Sequence, residues 1–273
     1  MHRSFVKETL KDLGIPPLKR RGQHFLIDEN ILKKQIREAD IHSNDNILEI
    51  GPGLGFLTEK LLETGATVTA VEIDPILHNY LKATLDTKYD NLTLIHGDFL
   101  SEDLPVFDKV IANLPYNISS PITFRLSDMG ISRAVLMYQY EFGRRLCSAP
   151  DCKEYSRLSV MCQYHFVPTL IRKIGRTVFY PSPDVDSALV SLVRREREKV
   201  VINYEIFKNI VRSAFNKRRK KLKNSLGYSG KLLLETMEKE SSIAPFLEKR
   251  AGELSVDDYI SIANHFSENQ VII

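Results

Sequence analysis

The chain has 273 residues, 43% of them hydrophobic, which is enough for one large domain and a smaller one. Its apolar runs are only a few residues long, so no transmembrane helix is expected, and Met1-His2-Arg3 leads into charged residues without the apolar region of a secretory signal. The net charge of +3 excludes little, but it is unevenly spread: twelve Lys/Arg against three acids from Arg194 to Lys223, six against two in the first 23 residues, and four against eight after Lys223. Cys147, Cys152 and Cys162 form no C-x-x-C pair and read as free thiols in a reducing cytosol, with neither a zinc site nor a disulfide frame. A cytoplasmic protein without a metal is expected.

Residues 1–22 read as irregular, with a break at Pro16-Pro17 and a basic Lys19-Arg20-Arg21-Gly22. A helix is predicted over 29–39, capped by Asp28. Ile47 to Ile50 is a short buried strand, followed by a glycine-rich turn and a helix over 56–64. Strand Thr67 to Val71, helix 75–86 and strand Leu92 to Ile95 follow. Then come strand Phe107 to Ala112, helix 120–128, strand Ala134 to Met137 and a helix opening over Tyr140 to Leu146. Such alternation predicts an α/β fold with a parallel, Rossmann-like sheet covered by helices on both faces. Residues 166–194 read as two strands split by Phe179-Tyr180-Pro181-Ser182-Pro183, an antiparallel hairpin added to the sheet edge. From about 203 the pattern is helical. The predicted division is therefore a domain over 1–198, with 1–28 as a basic closing segment, and a small all-α domain over 199–273.

The first strand runs into Glu49-Ile50-Gly51-Pro52-Gly53-Leu54-Gly55. Glycines at alternate positions let the backbone approach a ligand closely. A dinucleotide fingerprint needs G-x-G-x-x-G, and here Phe56 stands where its third glycine belongs. The tighter spacing, with an acid two residues before it, is the usual methyltransferase form and suits a cofactor without a pyrophosphate. Glu72 lies 21 positions after Gly51, the spacing at which an acid meets ribose hydroxyls, while Asp74 reads as the cap of the next helix. Asp98 could accept from an adenine amino group and Phe99 could offer its backbone N–H. All these positions fall on the carboxyl edge of one sheet, where open α/β folds bind ligands.

Asn113-Leu114-Pro115-Tyr116 falls on the same edge, after the apolar run Val110-Ile111-Ala112. An exocyclic amino group on a nucleobase is a poor nucleophile because its lone pair is delocalised into the ring. Two acceptors aimed at its N–H bonds draw the nitrogen toward tetrahedral geometry. The Asn113 side-chain carbonyl and the Leu114 backbone carbonyl can supply them. Pro115 fixes φ at the turn, and the Tyr116 ring can stack on the base.

These motifs resemble those of the ribosomal RNA adenine N6-dimethyltransferases. The resemblance rests on Gln23-His24-Phe25-Leu26, Glu49 to Thr58, Glu72-Ile73-Asp74, Gly97-Asp98 and Asn113 to Ser119, then on Phe179 to Ala188 and Phe215 to Leu222. It covers most of 19–226 and is specific to the small-subunit branch. Leu136 to Phe142 looks closest to archaeal members. The resemblance implies S-adenosylmethionine as donor, held by His24, Leu26, Gly51, Gly53, Glu72, Asp98, Phe99 and Asn113. It implies Asn113, Leu114, Tyr116 and Phe179 as the groups around the target base, with Phe179 closing opposite Tyr116. The chain departs from the family at Gly175-Arg176-Thr177, where a pair of prolines usually precedes Phe179.

The implied reaction is transfer of methyl groups to N6 of two adjacent adenosines near the 3′ end of small-subunit rRNA, during small-subunit biogenesis. RNA affinity is expected from Lys19, Arg20 and Arg21, from Arg194 to Lys199, and from Arg212 to Lys223, above all Lys217, Arg218, Arg219, Lys220 and Lys221. The implied partner is rRNA within a pre-ribosomal small subunit, and a monomer is expected. Two other readings stand beside this one: an N6-adenine methyltransferase acting on large-subunit rRNA or DNA, and a ribosome-assembly factor that keeps the fold without the chemistry. A nicotinamide dehydrogenase is disfavoured by the glycine spacing.

Overall fold

The computed structural model of the chain describes residues 3–15, 23–227, 231 and 243–268. The strands, in chain order, are β1 (Phe25–Leu26), β2 (Asn46–Ile50), β3 (Thr67–Glu72), β4 (Leu92–His96) and β5 (Lys109–Asn113), then β6 (Arg133–Gln139), β7 (Phe166–Ile174), β8 (Phe179–Tyr180) and β9 (Ser187–Arg194). Seven of them form one sheet in the order β4-β3-β2-β5-β6-β9-β7. Strands β2 to β6 pair in parallel, and β9 pairs antiparallel with both β6 and β7. The expected edge hairpin is thus present. The chain between its strands supplies β8, which leaves the main sheet and pairs antiparallel with β1.

The sheet is apolar because it is covered on both faces. In β6, Val135 and Met137 join a core with Leu32 of α2 (Glu29–Ala39) and Leu57 and Leu61 of α3 (Phe56–Leu62). Side chains alternate across a strand, so Tyr138 points the other way. There its hydroxyl lies 2.8 Å from Thr123 Oγ1 on α5 (Ser119–Asp128). Helix α4 (Pro75–Leu81) follows β3, with Asp74 accepting from the N–H groups of Ile76 at 2.9 Å and Leu77 at 3.4 Å.

Two local expectations change. Residues 3–12, expected to be irregular, form α1 (Arg3–Asp12), whose Val6 and Leu10 pack with Leu54 and Leu77. An i, i+4 apolar pair without a cap is too faint to read in isolation, and tertiary burial supplies the stability. The helix expected over 75–86 holds to Leu81 and then opens into a π-type turn over Lys82–Asp86. The Thr84 and Thr87 hydroxyls bond back to the Tyr80 and Ala83 carbonyls there, competing with regular helix bonds.

The chain groups into two compact units, residues 1–144 with 166–194 and residues 145–165 with 195–273. The expected single cut after residue 198 differs from this grouping by one excursion, because α6 (Arg157–His165) groups with the C-terminal helices. That unit has its own core. Tyr155 meets Phe215 of α7 (Tyr204–Asn216) at 6.1 Å between ring centroids, and Phe215 meets Tyr259 of helix Val256–Glu268 at 6.2 Å. Among the described residues no helix is long and apolar enough to cross a membrane.

Helix α2 starts at Asp28, whose Oδ1 accepts from Asn30 N–H at 2.9 Å and Ile31 N–H at 3.1 Å. Asp28→Ala is expected to cost about 1 kcal/mol by orphaning those donors. Urea unfolding followed by circular dichroism checks this, and an unchanged midpoint would show that the cap contributes nothing.

Candidate active site

Five strand ends and the β1–β8 ribbon enclose a cavity of about 610 Å³ on the carboxyl edge of the parallel sheet. All eleven residues expected around cofactor and base line it: His24, Leu26, Gly51, Gly53, Glu72, Asp98, Phe99, Asn113, Leu114, Tyr116 and Phe179. Gly51, Glu72, Asp98 and Asn113 converge because the parallel strands end on one edge, whereas His24, Leu26 and Phe179 are brought there by the β1–β8 pairing.

Behind the cavity lie two buried carboxylates. Glu72 Oε2 accepts from Gly53 N–H at 3.0 Å, and its Oε1 accepts from Asp74 N–H at 2.9 Å. Burial raises the Glu72 pKa, and these N–H groups oppose the rise. A carboxylate has about four acceptor sites, so ribose hydroxyls can still be received. Gly53 is at φ 61°, and a Cβ there would lie 2.9 Å from the Phe25 ring. The glycine is required both by conformation and by the close approach of β1. Glu49, on β2, is 2% exposed, and burial, reinforced by the Glu72 charge, pushes its pKa up to about 8. The Thr58 hydroxyl beside it opposes that rise by donating toward the carboxylate.

On the second side, Asp98 Oδ1 accepts from Leu100 N–H at 2.9 Å. Phe99 is buried beneath the Arg125 guanidinium, 4.8 Å from its ring centroid. Asp98 and Phe99 thus form a shaped wall in which one carboxylate oxygen is already engaged.

The Asn113 turn closes the third side. Asn113 Oδ1 is buried and has no hydrogen-bond partner among the described residues. An unmet carbonyl at the end of a strand is costly unless a ligand donor completes it. Leu114 is buried, Pro115 sits at φ −60°, and a 3-10 turn begins at Tyr116. The Tyr116 hydroxyl lies 2.5 Å from Ser187 Oγ, and burial raises its pKa. This bond fixes the ring orientation. Ser187 carries no local signal of this role in the sequence, because its partner is 71 positions away.

The β1–β8 ribbon forms the roof. His24 Nδ1 lies 2.7 Å from the Pro181 carbonyl, which only accepts, so Nδ1 carries the proton. The His24 ring stands 5.6 Å from the Tyr116 ring. Ile27 N–H donates to the Val178 carbonyl at 2.9 Å, and the Arg3 guanidinium donates to the Thr177 carbonyl at 3.2 Å. Ser182 Oγ donates to the Arg176 carbonyl at 2.8 Å. Hydrogen bonds therefore hold Gly175-Arg176-Thr177 where prolines would have stiffened the chain. Phe179 lines the cavity yet is only 1% exposed, packed with Leu26, Ile174 and Leu189. It forms part of the wall, and in this conformation it is not a freely swinging lid.

The basic segments divide differently from expectation. Lys19, Arg20 and Arg21 lie outside the described residues. Arg194 donates to the Ser127 carbonyl, Arg197 binds Asp257 and the Gln163 and Tyr164 carbonyls, and Lys199 donates to Ser261. The Arg194–Lys199 segment is thus largely consumed by internal contacts. In the C-terminal unit Lys217, Arg218, Arg219, Lys220 and Lys221 are exposed. Arg218 donates to the Cys152 and Lys153 carbonyls, and Lys221 pairs with Glu248 at 2.8 Å. Lys217, Arg219 and Lys220 have no such side-chain partner among the described residues. None of the described His, Cys, Asp and Glu side chains forms a group of three or more able to hold a metal ion.

A family model described as ribosomal RNA adenine dimethylase matches residues 18–268. A Methanosarcina mazei protein named probable ribosomal RNA small subunit methyltransferase A is 41% identical over 245 residues, 89% of this chain and 90% of that protein. The Moorella thermoacetica protein named ribosomal RNA small subunit methyltransferase A is 39% identical over 272 residues, 93% of this chain and 94% of that one. Among solved structures, a dimethyladenosine transferase from Plasmodium falciparum aligns at TM-score 0.79 and 30% identity, over 91% of this chain and 99% of that one. The 23S rRNA methyltransferase ErmE aligns at TM-score 0.71 and 26% identity, over 89% and 99%.

Glu49 yields a pH test. Its ordinary value is 4.5 and its folded value about 8, so the unfolded chain ionises first as pH rises. The stability tied to this group is complete at acid pH, below the ordinary value, and is lost as pH climbs through the folded value. Glu49→Gln is expected to flatten the fall in Tm between about pH 5 and pH 8. Thermal unfolding over that range reads it. Parallel curves for both proteins would show that Glu49 does not titrate there.

Proposed function

This chain belongs to the ribosomal RNA adenine dimethylase family, and from that premise we propose that it methylates N6 of two adjacent adenosines near the 3′ end of small-subunit rRNA. It is an rRNA adenine-N6,N6 dimethyltransferase with a Rossmann-like class I methyltransferase fold. The observation that carries the site reading is the buried, unpartnered Asn113 Oδ1 beside a held aromatic ring, on the edge where cofactor and base must meet.

The cavity fits S-adenosylmethionine. Glu72 is positioned for ribose hydroxyls, Asp98 and Phe99 for an adenine edge, and the Gly51–Gly53 backbone for the methionine part. When bound, the sulfonium supplies an electrophilic methyl group. The chain's own residues do the rest by positioning and polarisation. An extruded adenine stacks on Tyr116, which recovers roughly 1–3 kcal/mol of the unstacking cost. Asn113 Oδ1 and the Leu114 carbonyl would accept from the two N6–H bonds and localise the nitrogen lone pair for attack. The methylated ammonium is acidic and can lose its proton to water, so the turn needs no general base. After one transfer N6 keeps one N–H for one acceptor, which permits the second.

The substrate is proposed to be a pre-ribosomal small subunit, met by a monomer. The small-subunit names of relatives near 40% identity favour this target over large-subunit RNA. The test is methyl transfer from labelled S-adenosylmethionine to unmethylated small subunits and to naked large-subunit RNA, with nucleoside analysis. N6,N6-dimethyladenosine in the small subunit is expected, falling roughly 10²–10³-fold in Asn113→Ala. Label only in large-subunit RNA would overturn the substrate. Cofactor binding without transfer to either would leave an assembly role.

Ser187→Ala is expected to lower kcat/KM for rRNA roughly five- to tenfold, about 1 kcal/mol, by freeing the Tyr116 ring while leaving cofactor affinity unchanged. Tyr116→Phe should give a similar loss, and the double variant no more than either. Additive losses would separate the two residues.

A further inference from the structure

Helix α2 and strand β7 enclose a second concavity of about 500 Å³, lined by Asn30, Lys33, Lys34, Arg37 and Arg172. Four of the five are cations. Lys33, Arg37 and Arg172 are exposed. Lys34 pairs with Glu38 at 3.2 Å, but no acid bonds the other three among the described residues. Lys33 and Arg37 stand at i, i+4, where like charges oppose helix formation. Arg172 reaches the same hollow from a strand position 135 residues beyond Arg37 because β7 is irregular there. Leu170 pairs with Val190 and Arg172 with Leu189, leaving Ile171 unpaired and packed against the core. Bulges re-aim side chains, and this one leaves Arg172 exposed beside α2. A merely solvated helix face does not require a cation delivered from a neighbouring sheet edge.

The helix is rigidly tied to the reaction edge. Gln35, fully buried on the opposite face of α2, donates to the Ala112 and Val135 carbonyls at 3.2 Å each. Ala112 immediately precedes Asn113. Asp28, which caps α2, stands two residues after Leu26 of β1, so the hollow begins about one helical turn from the roof of the active site.

We propose, on the reading that the substrate is RNA, that this hollow binds the phosphodiester backbone flanking the target adenosines. It is a contact surface carried wholly by the catalytic unit and separate from the Lys217–Lys221 run. Backbone contacts fix register without reading sequence, which is what an enzyme presenting a particular adenosine to Asn113 requires.

The test compares the native chain with the triple variant Lys33→Ala/Arg37→Ala/Arg172→Ala. Binding of a small-subunit 3′-end RNA hairpin is measured by fluorescence anisotropy from about 50 to 200 mM salt. Affinity should fall roughly five- to twentyfold, and the slope of log K against log salt should become shallower by roughly two. Cofactor affinity should not change and Tm should not fall. A second variant, Lys7→Ala/Lys11→Ala/Lys82→Ala, removes the same charge elsewhere on this unit and should leave the slope near native. An unchanged slope in the first variant, or an equal loss in both, would overturn the site. So would a native chain that binds no RNA. If the native chain binds RNA but does not methylate small subunits, the substrate assignment fails while the slope still decides this surface.

Discussion

The site depends on one buried carboxylate. Glu72 ends β3 and binds the backbone of two loops at once, the Gly53 turn after β2 and the start of α4 at Asp74. Removing a carboxylate from water is costly, and these N–H groups offset that cost by satisfying its oxygens. The geometry of both loops is thereby set before any ligand arrives. Glu49 sits behind it with its proton affinity raised by burial, so the floor of the cavity carries less negative charge than two ordinary acids would.

Opposite this floor, the device is an absence of internal partners. Asn113 Oδ1 is buried and unmatched, whereas Tyr116 is held by Ser187 and His24 by Pro181. On the proposed reading, the Tyr116 and His24 rings would be fixed before ligands arrive, and the group that would polarise the amine is left open. This division suits catalysis by orientation, because a preorganised acceptor pays no reorganisation cost when the reacting nitrogen arrives. Arg3 and Ile27 extend the same logic to the roof by hydrogen-bonding the chain before Phe179. They replace proline stiffness with tertiary restraint.

Charge on this protein has two distinct uses. Arg194, Arg197 and Arg218 bind main-chain carbonyls, where a planar guanidinium satisfies several acceptors. Lys217, Arg219 and Lys220 in one unit, and Lys33, Arg37 and Arg172 in the other, are exposed without an acidic partner among the described residues, and are the cations proposed to meet phosphate. A count of basic residues cannot separate these uses, since both kinds occur in the same dense runs.

The strand-end motifs were legible from residues alone. A parallel strand is a short apolar run, its end is where that run stops, and Glu72, Asp98 and Asn113 each stand at such an end. The caps Asp28 and Asp74 were legible for a similar reason, since capping is local chemistry read within three residues. What only the tertiary structure decided is every pairing between distant segments. Tyr116 finds Ser187, β1 finds β8, and α1 gains its burial from Leu54 and Leu77. Residues 145–165 leave for the other unit with no shift in composition to mark it. Local sequence encodes dihedral preference and periodicity, whereas these contacts exist only once the sheet order has brought remote strand ends together.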